Sequence, residues 1–271
     1  MQGSLRKMTS ILGNPVRYQL TLADQLIEMN PLLGKNITLV HNGTIRCIAC
    51  EKKSSKSFNQ GYCYPCFIRL AQCDMCIMKP EICHYEQGTC REPSWGEEFC
   101  YQPHIVYLAN SSGIKVGITR LSQIPTRWID QGATQALPMI KTASRHISGL
   151  IEVAIAKHVS DKTSWQKMLK QQAADEDLFA RRDYLLAKCT VELDAIRDRF
   201  NEQAVEVIPS PETVDIHFPI MSYPEKIKSL CLTKTPEISG VLQGIKGQYL
   251  ILDSGVINLR KYTGYEVSLK T

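Results

Sequence analysis

No apolar run in this sequence approaches the roughly 20 residues needed to cross a bilayer, so a helical membrane span is not expected. The first dozen residues hold an Arg-Lys pair but no sustained apolar segment ahead of a small-residue cleavage site, which argues against a secretory leader. A strong charge of either sign is also missing. The 32 Lys and Arg against 27 Asp and Glu leave a formal +5 over 271 residues, too little to argue from overall basicity to nucleic acid. Outside residues 47 to 100 cysteine is scarce, with only Cys189 and Cys231, both in apolar contexts, as befits ordinary buried thiols and not a disulfide framework. A soluble, cytoplasmic protein with no membrane association is expected, long enough for two or three modules with their own cores.

What is present is unevenly distributed. Nine of the 11 cysteines fall between Cys47 and Cys100. Cys47-Ile-Ala-Cys50 and Cys63-Tyr-Pro-Cys66 are two CxxC pairs separated by twelve residues, and each pair can form one knuckle of a tetrahedral zinc site. Cys73 and Cys76 make a third pair, and Cys83 and Cys90 are the first choice to complete a second site, with Cys100 and His84 as competitors. Closed four-thiolate sites leave no open position, so two structural Zn²⁺ ions are expected to serve folding.

The charge is uneven as well. Residues 101 to 160 carry six Lys and Arg, at 115, 120, 127, 141, 145 and 157, against Asp130 and Glu152 alone. The pattern there reads as a hairpin feeding a helix. Ile105 to Leu108 is an apolar run, Asn110 to Gly113 is rich in turn formers, and Ile114 to Thr119 alternates. A helix start follows Pro125, Ala133 to Ala143 offers a further strand, and Ser144 or Ser148 can cap a helix through Ala156.

The flanks are simpler. Val16 to Leu22 alternates, and Asn42-Gly43 between Ile37–Val40 and Thr44–Arg46 signals a hairpin. This N-terminal part is expected either to support the metal module or to pair with the C-terminus. Residues 161 to 205 repeat Leu178, Leu185, Leu186, Cys189, Leu193, Ile196 and Phe200 at helical spacing, as one long amphipathic helix or two shorter ones. Beyond Pro209-Ser-Pro211, short strands read as a small β-barrel-like domain, in which Lys246, Tyr249, Arg260, Lys261 and Tyr262 mix basic with aromatic character as single-stranded nucleic-acid platforms do.

The region from about 104 to 160 resembles the GIY-YIG nuclease superfamily. Ile105-Val106-Tyr107 looks like its first signature and Lys115-Val116-Gly117 stands where the second belongs, with lysine in the tyrosine position. Arg127 matches the helix arginine and Glu152 the acidic residue of a later helix, while Gln131 occupies a position where many members carry histidine. With its segments Gly-Tyr-Cys-Tyr-Pro-Cys at 61–66, Cys-Arg-Glu-Pro-Ser-Trp-Gly at 90–96, Val-Gly-Ile-Thr-Arg at 116–120, Arg-Trp-Ile-Asp-Gln-Gly-Ala at 127–133 and Gly-Ile-Lys-Gly-Gln-Tyr-Leu at 244–250, the whole chain is similar to a widespread bacterial family of unassigned function. The fold so implied is α+β: a GIY-YIG-like domain at 104–160, preceded by a β-rich segment at 1–46 and a zinc module at 47–103, and followed by a helical region at 161–205 and the β-rich segment at 206–271.

The resemblance further implies metal-dependent cleavage of DNA or RNA. Glu152 would hold one catalytic Mg²⁺ or Mn²⁺, Arg127 would neutralise charge on the phosphoryl group, and Tyr107, helped by Lys115, would deprotonate water. Arg120, Lys141 and Arg145 are the further candidates for phosphate contact. Two other activities suit the same residues: a non-catalytic, zinc-stabilised nucleic-acid-binding protein, and a protein-interaction factor docking through residues 161 to 205.

Overall fold

The sheet at the centre of the molecule grows from the apolar run around Tyr107. In the computed structural model, which describes residues 1–159, 164–170 and 176–271, β7 (His104–Asn110) is buried along its whole length. It turns through Ser111–Gly113 into β8 (Ile114–Arg120), with Tyr107 opposite Gly117. On its other side β7 pairs antiparallel with β9 (Gln135–Thr142), which in turn pairs with β10 (Val205–Val207) and β11 (Val214–Asp215). β8 is therefore an edge strand.

Two helices flank that edge. The five-residue α4 (Thr126–Asp130) packs Trp128 and Ile129 against the face that carries Ile105, Tyr107 and Ala109. α5 (Arg145–Ala156) covers the opposite face with Ile147, Ile151 and Ile155, spaced at i, i+4, i+8 to meet Val106, Leu108 and Ile118. Its N-cap is Ser144, whose hydroxyl accepts from the Ile147 N–H at 3.4 Å. The expected 160/161 boundary lies outside the described residues. Past it, α6 (Trp165–Leu169), α7 (Leu178–Lys188) and α8 (Thr190–Phe200) follow. Leu178, Leu185, Cys189 and Leu193 pack on the same sheet face as α5. The apolar stripe of residues 161 to 205 is thus used inside the fold.

The N- and C-terminal segments build one sheet together. Before the cysteine module come β1 (Gln2–Ser4), a three-stranded sheet of β2 (Thr9–Ile11), β3 (Arg17–Leu22) and β4 (Gln25–Glu28), then β5 (Asn36–Arg46); β6 (Lys53–Ser54) lies within the module. The C-terminus contributes β12 (Glu237–Lys246), β13 (Tyr249–Leu252), β14 (Gly255–Asn258) and β15 (Tyr265–Lys270). The order is β1-β15-β5-β12-β13-β14, with β6 on β5 and, among the described residues, no pairing that joins β14 back to β1. The N-terminal part thus pairs with the C-terminus, one of the two arrangements expected of it, in a sheet that stays open among the described residues.

The hairpin expected at Asn42-Gly43 is a bulge within one long strand. His41 pairs with Val267 and Ile45 with Tyr265, so three β5 residues oppose Glu266 alone. Gly43 takes φ +87°, Asn42 accepts from the Thr44 N–H, and Arg46 and Asn42 both bind the Glu266 carboxylate. Pairing on both sides of β5 outweighs a local turn preference. The largest core draws on all three regions, joining Leu20, Leu39, Tyr107, Trp128, Ile245 and Leu259.

Besides β6, the cysteine module between these parts has the short helices α1 (Tyr64–Arg69), α2 (Met75–Met78) and α3 (Pro93–Phe99). It leans on α5, where a Cβ at Gly149 would stand 2.6 Å from Pro80 Cγ. No helix among the described residues is long and apolar enough to cross a membrane.

Candidate functional site: a cationic cleft beside a cysteine module

Five successive residues of β8, Val116 to Arg120, line a cleft of about 390 Å³. Side chains alternate along a strand, so a cleft touching five in a row runs along the strand's open edge, where every second N–H has no partner strand. α4 supplies Arg127 and Asp130, followed by Gln131, while α5 supplies Arg145 and Glu152. The cysteine module supplies Ile77, Met78 and Pro80, and Lys7 and Arg260 arrive from the two ends of the chain. Five cationic side chains face two carboxylates, so the cleft attracts anions.

Tyr107 lies behind this wall. Its ring is fully buried against Gly117, where a Cβ would stand 2.8 Å from the phenol oxygen. The phenol donates to Gln131 Oε1 at 2.9 Å. Burial pushes its pKa up to about 12, the Glu152 charge adds to the rise, and the Arg127 guanidinium opposes it. At neutral pH Tyr107 is therefore a protonated hydrogen-bond donor.

Asp130 is committed to structure. Lys7 forms an ion pair with it, and Gln248 Nε2 donates to its other oxygen at 2.9 Å. Gln248 also exchanges both main-chain hydrogen bonds of Met8, at 2.9 and 3.1 Å, which ties α4 to both chain ends.

The candidate cations have different fates. Arg127 and Arg120 line the cleft, the latter lying 4.8 Å from the Phe99 ring centre. Arg145 also reaches it, but one arm donates to the Ile77 carbonyl at 2.6 Å, and burial pulls its pKa down. Lys141 sits on β9 beside Glu206, at 3.4 Å, and Lys115 is likewise not among the lining residues. Lys246 and Tyr262, expected on a binding platform, are buried; Lys246 sits over the Phe218 ring at 5.2 Å. Arg260, from that platform, does reach the cleft. Lys7, Gln123 and Thr119 carried no local signal in the sequence; only folding brings them there.

In the cysteine module, the Sγ atoms of Cys47, Cys50, Cys63 and Cys66 lie within 4.8 Å of one another. Cys50 and Cys63 are 3.7 Å apart, close to the edge of about 3.8 Å expected of a tetrahedron with Zn–S bonds of about 2.3 Å. Burial raises the Cys47 thiol, but the N–H groups of Cys63, Cys50 and Ala49 outweigh it and hold the pKa at about 6. Burial and the neighbouring thiols push Cys66 up to about 12. One thiolate forms readily and four together need a cation, so the cluster could hold a zinc ion.

The remaining cysteines are arranged differently from the expected set. Cys76, Cys83, Cys90 and Cys100 line one small space, and Cys73 packs with Cys47, Cys63 and Cys66. The pair Cys73-Cys76 is divided because Asp74 between them caps α2, accepting from the Cys76 N–H at 3.3 Å.

A family model described as "Protein of unknown function (DUF2797)" matches residues 34–267. The chain belongs to this family. No curated protein and no solved structure gave a match. In this DUF2797 member the matched span takes in the cysteine module and the whole central sheet, with every cleft residue except Lys7.

Proposed function

We propose that the chain is a metal-dependent phosphodiester hydrolase acting on DNA or RNA through a GIY-YIG-like site. One observation carries the reading: Arg127 and Glu152, far apart in sequence, line a single cationic cleft, with Tyr107 held behind it through Gln131. In this reading the planar fork of Arg127 grips the scissile phosphate and offsets charge developing on it. Arg120, Lys7 and Arg260 hold neighbouring phosphates along the strand edge.

The residues fit a hard divalent cation. Glu152 contributes one carboxylate, and Mg²⁺ commonly binds through one or two carboxylates plus substrate phosphate and water. When bound, Mg²⁺ or Mn²⁺ supplies Lewis acidity at the phosphoryl oxygen. The proton-accepting role expected of Tyr107 does not suit a phenol with a pKa of about 12; it acts instead by orienting Gln131 toward the water or phosphate. The cluster of Cys47, Cys50, Cys63 and Cys66 would hold one structural zinc ion.

The buried phenol also favours a second reading, in which the cleft binds nucleic acid without cutting it. Labelled single- and double-stranded DNA and RNA, incubated with the full chain and Mg²⁺ or Mn²⁺, decide between them. Cleavage that Glu152→Gln and Arg127→Ala abolish supports the hydrolase. Salt-sensitive binding without cleavage would establish the second reading, and absence of both would remove each.

A further inference from the structure

The cysteine module has little apolar interior from residue 71 onward, and Met75, Met78, Ile82 and Tyr101 are exposed. A segment so poor in core needs another source of cohesion. Four thiols line one space there, Cys76 on α2, Cys83 after the turn Pro80–Ile82, Cys90 in the following loop and Cys100 at the end of α3, although no three of their Sγ atoms lie within 4.8 Å of one another as those of the first cluster do. The space they line is about 20 Å³, room for one water or ion.

The same space brings together Asp74, Cys76 and His84 as an alternative ligand set. Asp74 already binds Arg91 at 2.6 Å and caps α2, and His84 Nδ1 is 2.8 Å from the Thr89 hydroxyl. Four sulfur donors also suit a soft-to-borderline cation better than one sulfur with a carboxylate.

We propose that Cys76, Cys83, Cys90 and Cys100 bind a second zinc ion as a closed four-thiolate site, without Cys73, and that this ion braces the helix carrying Glu152. The bracing follows from three contacts. The Cys100 carbonyl accepts from the Arg145 N–H at 2.8 Å. Ile77, next to Cys76, accepts from the Arg145 side chain at 2.6 Å. Pro80, between Cys76 and Cys83, meets α5 at Gly149, a residue that leaves no room for a side chain. Both ends of the cysteine loop thus touch α5, and Ile77, Met78 and Pro80 form one cleft wall.

The test is zinc content of the full chain by plasma mass spectrometry, with hydrogen exchange across α5. Neither readout depends on cleavage, so the metal assignment stands or falls apart from the hydrolase reading. Two zinc ions per chain are expected, falling to one in Cys90→Ser and Cys100→Ser, with at least tenfold faster exchange over residues 147 to 156. Cys73→Ser should keep two. One zinc in the wild type, or loss of one in Cys73→Ser with two retained in Cys100→Ser, overturns the assignment; two zincs lost to one without faster α5 exchange overturns the bracing. Should the serine variants not fold, zinc X-ray absorption of the wild type serves: sulfur neighbours alone are expected, and nitrogen or oxygen ligands on half the zinc refute it.

Discussion

Tyr107 and Gly117 face one another across β7 and β8, and the space of one methyl group at position 117 is already occupied by the Tyr107 phenol. Tyr107 cannot retreat freely, because its ring also meets Trp128 at 5.8 Å. Gly117→Ala should therefore cost about 1–3 kcal/mol, the usual scale of overpacking, and break the bond to Gln131. Urea unfolding measures the first effect. An unchanged midpoint would show that the phenol has room to move.

If the cleft cuts nucleic acid, Tyr107 works as a neutral donor and not as the base. Its pKa of about 12 lies far above assay pH. Tyr107→Phe should then lower kcat about tenfold, the scale of one lost hydrogen bond, by the same factor from pH 6 to 9. A loss that grows steadily with pH would instead identify the phenolate as the base.

His104 should make the protein acid-sensitive. Burial above all, with the charges of Arg145 and Arg120, pulls its pKa from 6.5 to about 4 against the opposing Gln102 carbonyl. The folded state thus binds a proton less readily than the unfolded one. Its contribution is complete above pH 6.5 and is lost as pH falls toward 4. A shift of this size corresponds to roughly 3–4 kcal/mol. Urea unfolding of wild type and His104→Gln at pH 7.5, 5.5 and 4.5 should show their difference shrinking with acidity; a constant difference refutes the linkage.

The first cysteine cluster should be a folding element. Cys63→Ser, or prolonged treatment with a strong zinc chelator, is expected to remove several kcal/mol. At this chain length that lowers Tm by about 10 °C or more. Calorimetry with parallel zinc analysis tests it, and a Tm indifferent to chelation despite zinc loss would show that the cluster is not structural.

Local order was legible in the sequence wherever a short-range rule governs it. The hairpin about Ser111–Gly113, the helix start after Pro125 and the Ser144 cap each depend on neighbours a few residues apart. The gathering of Cys47, Cys50, Cys63 and Cys66 was legible for the same reason, since two knuckles define their own geometry.

Long-range competition decided the rest. Asn42-Gly43 became a bulge because β15 and β12 pair on either side of β5. Cys73 and Cys76 parted because a helix cap stands between them, and Lys246 went inside because the Phe218 and Tyr223 rings, more than twenty residues back, cover it. The cleft likewise depends on partners from both ends of the chain: Lys7 and Gln248 converge on Asp130, and Arg260 faces Arg127. Side-chain spacing determines which residues share a face of one element. Only the packing of separate elements determines which faces meet, and that is where the charges of this cleft were assembled.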